Sequence, residues 1–176
     1  YSSAASDVYK RQNLDRDKLK LCSNLKWIQL NSAGSDGYTN FIRDGILLTN
    51  ASGAYGLAIS EHMLGMLLEI KKKLYLYRDN QRNRIWRSEG NVTSIEEAVT
   101  LVIGMGDIGG DFARKIKTLG GYVIGVKRTP SEKPPYCDEL YTADKLDRLL
   151  PRADIISLSL PGNAETEPVS YTHLTL

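Results

Sequence analysis

The stretch Thr100–Pro130, TLVIGMGDIGGDFARKIKTLGGYVIGVKRTP, restricts the fold more than any other part of the chain. The unbroken apolar run VTLVI leads directly into Gly104-Met105-Gly106-Asp107-Ile108-Gly109. Such a run suits a parallel strand buried on both faces. A helix is predicted from about Ile108 to Leu119, with Ile108, Phe112, Ile116 and Leu119 on one face and Gly120 placed to end it. Tyr122 to Val126 reads as a second strand. Strand, glycine loop, helix and strand in this order form the first half of a dinucleotide-binding unit. In such a unit Gly104 permits the tight turn, Gly106 lets the main chain approach a pyrophosphate, and Gly109 lets helix and strand pack closely. The helix N-terminus adds free N–H groups and about half a positive charge.

The end of the second strand bears on cofactor choice. A site for NAD places an acid about 20 residues on, to bind the ribose 2′-hydroxyl. Here Lys127, Arg128 and Thr129 occupy that place. Two cations and a hydroxyl attract a 2′-phosphate, which Arg128 can bind in bidentate fashion. NADP(H) is therefore favoured, with NAD(H) still possible.

The elements on either side complete an α/β pattern. Ala143–Leu150 is predicted as a short helix and Asp154–Leu160 as a buried strand ended by Pro161. Upstream, Lys26–Leu30 and Gly45–Thr49 read as strands, each followed by a loop rich in turn formers, NSAGSDGYTN and NASGAYG. A helical pattern begins at Leu57, where Ile59, Met63, Met66, Leu67, Ile70, Leu74 and Tyr77 recur at spacings of three and four. The polar segment 78–94 is predicted to be irregular.

Several function classes are disfavoured. A net charge of +2 is too small to argue for nucleic acid or an anionic membrane. No apolar run approaches the roughly 18 residues of a spanning helix, and no secretory signal is evident. Cys22 and Cys137 are far apart and show no metal spacing. A cytoplasmic protein without a metal is expected. Residues 1–12 and 169–176, YSSAASDVYKRQ and VSYTHLTL, lack any period and resemble translated adapter sequence. They are expected to be non-native, which would leave an internal fragment of a longer protein.

GMGDIGGDFARKIKTLG and ADIISLSLPGNAET, with LKWIQLNSAGSDGYTN and the helix near AISEH upstream, together resemble the D-isomer-specific 2-hydroxyacid dehydrogenase family. The KRTP ending is similar to members of the glyoxylate/hydroxypyruvate reductase type, which use NADPH. The resemblance implies a Rossmann-type, doubly wound parallel sheet over residues 51–168, as the first half of a cofactor domain. It implies that residues 13–50 are a remnant of a flavodoxin-like substrate domain. It further implies main-chain contacts to the substrate carboxylate from Ala33, Gly34 and Ser35, with Tyr55 a weaker candidate for the pocket wall. Asp107 and Ile108 would add main-chain contacts to the pyrophosphate, Met105 is a further cofactor-binding position, and Leu160, Pro161 and Thr166 would lie beside the cofactor.

The helix from Leu57 resembles one that supports a homodimer, although its apolar pattern fits a core helix equally well. The implied partner is a small 2-oxo or 2-hydroxy acid. Glyoxylate, hydroxypyruvate and phosphoglycerate all remain open. The family's Arg, acid and His follow the strand that ends here at Leu160, so no catalytic residue is assigned. His62 is expected to be structural, and His173 lies in the suspect tail. A nicotinamide-sensing module of the same fold, like a corepressor, is the alternative. A methyltransferase would keep an acid at the end of the second strand, and a short-chain reductase would show wider glycine spacing; neither is seen.

Overall fold

In a computed structural model the described residues are 9–11, 19, 22–35, 37–38, 42–96 and 98–160. They fall into two compact units that divide between Tyr55 and Gly56.

The first unit is built on a parallel sheet of β1 (Tyr9–Arg11), β2 (Trp27–Gln29) and β3 (Leu47–Thr49), in that order. Ile28 pairs with Leu48 in register, and both turn toward a core of Leu19, Leu25 and Leu30. The opposite face is open: Leu47 is 60% exposed, so the GILLT segment is half-buried rather than fully buried as its apolar run suggested. Trp27 stands on that face and donates its indole N–H to the Thr49 hydroxyl at 2.8 Å. β1 lies within the opening segment that looked aperiodic in the sequence and pairs with all three residues of β2.

The second unit contains helices α1 (Gly56–Lys71) and α2 (Leu74–Arg82), strand β4 (Val99–Ile103), helix α3 (Asp107–Thr118) and strands β5 (Tyr122–Lys127) and β6 (Glu139–Thr142). The short helix α4 (Leu146–Leu149) and strand β7 (Ile155–Leu158) complete it. The four strands are parallel and ordered β6-β5-β4-β7. Numbered from β4, that is the 3-2-1-4 order of a doubly wound sheet, with its switch point between β4 and β7. Leu101, Val102 and Ile103 of β4 and Val123, Ile124 and Val126 of β5 are buried, as expected for central strands covered on both sides. Burying each such side chain contributes roughly 1.5–3 kcal/mol before the entropy of ordering is set against it. One face is covered by α3 through Phe112, Ala113 and Ile116, and by α1 through Met63, Leu64, Leu67 and Leu68.

Three local features differ from the sequence expectations. The helical pattern from Leu57 is broken at Lys72–Lys73, where Lys73 adopts a left-handed φ of 56°. Residues 78–82, expected to be irregular, complete α2. The segment after α2 is irregular but tied down by Glu89. Its carboxylate accepts from Asn80 at 2.5 Å and Arg87 at 2.9 Å, and its carbonyl accepts from Lys73 at 2.5 Å. β7 is half-buried, with Ile156 and Leu158 exposed, because it is the edge strand of the described sheet.

Candidate functional site

The glycine loop sits at the carboxyl end of β4, at the switch point. Gly104 has φ +96°, a conformation that L side chains rarely adopt. Its N–H donates to the Val126 carbonyl at 2.9 Å, and a Cβ there would come within 2.5 Å of the Ser159 carbonyl oxygen. A Cβ on Gly109 would lie 1.9 Å from the Gly104 carbonyl oxygen and 3.2 Å from the Ser159 Cβ. The first turn of α3 is thus pressed against the β4 and β7 ends, as that glycine was expected to allow. Gly106 is different: apart from the adjoining main chain, no described atom comes within 4 Å of where its Cβ would stand.

Gly106 is also the N-cap of α3, and among the described residues no side chain caps it. The first-turn amides of Asp107, Ile108 and Gly109 therefore have no helical partner. A bare backbone, open space above it and uncapped amides at a helix N-terminus fit a diphosphate. The side chains nearby are directed elsewhere. Met105 is buried in the core against Gly125. The Asp107 carboxylate lies over Gly56 at the start of α1, where a Cβ would meet its Oδ1 at 2.5 Å. Met105 and Asp107 therefore face the loop with their main chain. Leu160 is half-buried beside Gly104, its Cδ2 3.0 Å from the position of a Cβ there. Pro161 and Thr166 lie outside the described residues.

Lys127 ends β5 half-buried, its ammonium 3.0 Å from the Ser131 hydroxyl. Arg128 and Thr129 follow it, exposed. Thr129 lines a cavity of about 260 Å³ with Ser131, Tyr141 and Lys145. Lys145, whose ammonium is 2.8 Å from Asp144, is a further cation at this strand end that the sequence reading missed. It follows β6 in a short turn, and only the β5–β6 pairing brings it near Thr129.

In the first unit, Ala33, Gly34 and Ser35 form the turn after β2. The loop is held from the other side by the segment after β3: the Ala51 N–H donates to the Ser32 carbonyl at 3.0 Å and the Asn50 amide to the Ala33 carbonyl at 2.8 Å. Among the described residues the Ala33, Gly34 and Ser35 amides have no acceptor. His62 is exposed on α1. Among the described residues no group of three or more His, Cys, Asp or Glu side chains could hold a metal ion, and no helix is long and apolar enough to cross a membrane.

A parallel sheet of 3-2-1-4 order with an uncapped glycine loop at its switch point defines a Rossmann-type, dinucleotide-binding domain. Residues 64–172, more than half of the 176, match the family described as D-isomer specific 2-hydroxyacid dehydrogenase, NAD binding domain. The chain belongs to that family. It is 33% identical over 125 residues to D-3-phosphoglycerate dehydrogenase of Mycobacterium tuberculosis, an alignment covering 69% of this chain and 23% of that protein. It is 30% identical over 146 residues to D-lactate dehydrogenase of Treponema pallidum, covering 81% of this chain and 43% of that one. The structure of a D-isomer specific 2-hydroxyacid dehydrogenase family protein from Aeromonas salmonicida superposes with a TM-score of 0.80 at 30% identity, covering 90% of this chain and 52% of that one. The chain thus spans from about a quarter to about half the length of these relatives.

Proposed function

We propose that this chain is part of an oxidoreductase that transfers hydride between NADP(H) and a small 2-oxo or 2-hydroxy acid such as glyoxylate, hydroxypyruvate or phosphoglycerate. The second unit is read as the cofactor-binding part and the first as part of the substrate-binding domain. When bound, the nicotinamide supplies the hydride chemistry. The residues of this chain bind and orient. The Asp107, Ile108 and Gly109 amides would hold the pyrophosphate, and Leu160 would pack beside the cofactor. The Ala33, Gly34 and Ser35 amides would hold the substrate carboxylate, which main-chain donors on small residues suit. The exposed apolar stripe Ile59, Met66 and Ile70 on α1 supports a homodimer in the longer protein.

The observation carrying the cofactor assignment is the run Lys127-Arg128-Thr129 at the end of β5, with Lys145 on the same cavity as Thr129. A carboxylate at that position would repel a 2′-phosphate; these groups attract one. Titration with NADPH and NADH tests it. The chain should bind NADPH more tightly, and replacing Lys127 and Arg128 by Ala should weaken NADPH binding about tenfold or more, the scale of a lost charge-assisted hydrogen bond, while sparing NADH. An unchanged NADPH/NADH ratio would overturn the assignment.

A further inference from the structure

The carbonyl groups of the 31–35 loop are tied down one by one. Tyr55 donates its hydroxyl to the Asn31 carbonyl at 2.6 Å. The Ser32 carbonyl accepts the Ala51 N–H at 3.0 Å, and the Ala33 carbonyl accepts the Asn50 side-chain amide at 2.8 Å. The Gly34 carbonyl accepts the Ser32 hydroxyl at 3.0 Å, and the Ser35 carbonyl accepts the Tyr38 N–H at 2.8 Å.

In a planar trans peptide the C=O of one residue and the N–H of the next point in opposite directions. Fixing the Asn31, Ser32, Ala33 and Gly34 carbonyls therefore orients the amides of Ser32, Ala33, Gly34 and Ser35. All the donors to the first three of those carbonyls come from one short stretch, Asn50 to Tyr55, on the exit of β3. The Asn50 side chain is itself fixed, because its Oδ1 accepts the Ser52 N–H at 3.2 Å. None of these donors is charged, so the three carbonyls are held by neutral hydrogen bonds alone.

We infer that Asn50 and Tyr55 are positioning residues: by holding the Ala33 and Asn31 carbonyls they turn the loop's amides outward as an anion-binding surface. This rests on the reading of the loop as the holder of the substrate carboxylate. It also changes the role of Tyr55 from a side chain lining a pocket to one whose hydroxyl secures the loop from behind.

The test is an amide-resolved NMR titration of the 176-residue chain with glyoxylate. In the wild type, the Ala33, Gly34 and Ser35 resonances should shift saturably. Asn50→Ala and Tyr55→Phe should each weaken that binding by about two- to tenfold, the range one neutral hydrogen bond supports. The Ile28 and Leu48 resonances should stay in place, which separates loop alignment from loss of fold. Tyr55→Phe removes only an oxygen from an exposed ring, so it decides alone should Asn50→Ala unfold. Shifts absent in the wild type would overturn the carboxylate reading itself. Binding in the wild type that both variants match would overturn the positioning roles and leave the carboxylate reading standing.

Discussion

Gly106 and Gly109 belong to one motif but carry different burdens, and substitution separates them. A methyl on Gly109 would overlap the Gly104 carbonyl, so α3 must move off the sheet. Gly109→Ala should cost about 1–3 kcal/mol, as overpacking does, and lower both the melting temperature and dinucleotide affinity. A methyl on Gly106 meets open space. Gly106→Ala should cost less, about 0.5–1 kcal/mol, the scale of a poorer N-cap residue. It should still weaken NADPH by about tenfold or more, since the methyl stands where the main chain must approach the phosphates. Equal losses of stability in the two variants would sink the distinction. Glu139, far from the loop, is predicted to set acid stability. It is paired with Arg152 and accepts the Tyr141 and Tyr122 hydroxyls at 2.6 and 2.8 Å. Arg152 first, then Tyr141 and Tyr122, hold its carboxyl at about 2 against an ordinary 4.5. A carboxylate depressed in the folded state stabilises it above the unfolded value, and that contribution is lost as pH falls through the folded value. Melting temperatures of wild type and Glu139→Gln should therefore differ by a constant gap above pH 4.5, and the gap should close between 4.5 and about 2. A gap indifferent to pH would show that the pairing contributes nothing.

Helix α1 shows how far periodicity carries and where it stops. Met63 and Leu67 were picked out by their spacing and do pack on the core, together with Leu64 and Leu68. Ile59, Met66 and Ile70 share the same apparent stripe but face outward, Ile70 being 65% exposed, and Leu74 falls beyond the break, at the start of α2. Apolar residues at a helical period mark a face to be covered without saying which neighbour covers it, so core and interface residues look alike in the sequence. The break at Lys73 was equally hidden. Its left-handed backbone is held by contacts to Glu89 across the following segment, and no local residue preference announces it. If two copies bury the outer stripe, Met66→Lys with Ile70→Lys should shift the chain from dimer to monomer in sedimentation. Because both residues are exposed in the isolated chain, the variant should keep its helical spectrum. A wild-type chain that stays monomeric at high concentration would refute the interface.

At the scale of the whole chain, the parts that read well are those where one physical demand acts locally. The β4–loop–α3–β5 unit announces itself because a buried strand, a tight turn and a helix start each impose residues at adjacent positions. β6 and the nearby Lys145 were not foreseen, because Glu139–Thr142 lacks an apolar run and becomes a strand by pairing with β5. The 31–35 loop reads from its residues only as a glycine-containing turn, and the carboxylate contacts come from the family resemblance; its donors at Asn50 and Tyr55 come from the next strand's exit. The two units have separate hydrophobic cores, one around Ile28 and Leu30, the other around Val102 and Ile116. Local opening in each is then governed by its own contacts. Ligands should protect them separately in hydrogen exchange. NADPH at a hundred times its dissociation constant stabilises the state that binds it by about 2.7 kcal/mol, roughly a hundredfold slowing where exchange needs that site to open. That slowing is expected at Asp107, Ile108 and Gly109 and at the end of β5, with Ile28 and Leu48 unchanged. Glyoxylate should produce the reverse pattern, slowing Ala33, Gly34 and Ser35 and sparing α3. Protection by both ligands at the same amides would contradict the division of cofactor and carboxylate binding between the two units, because each ligand would then be drawing on a single set of main-chain donors.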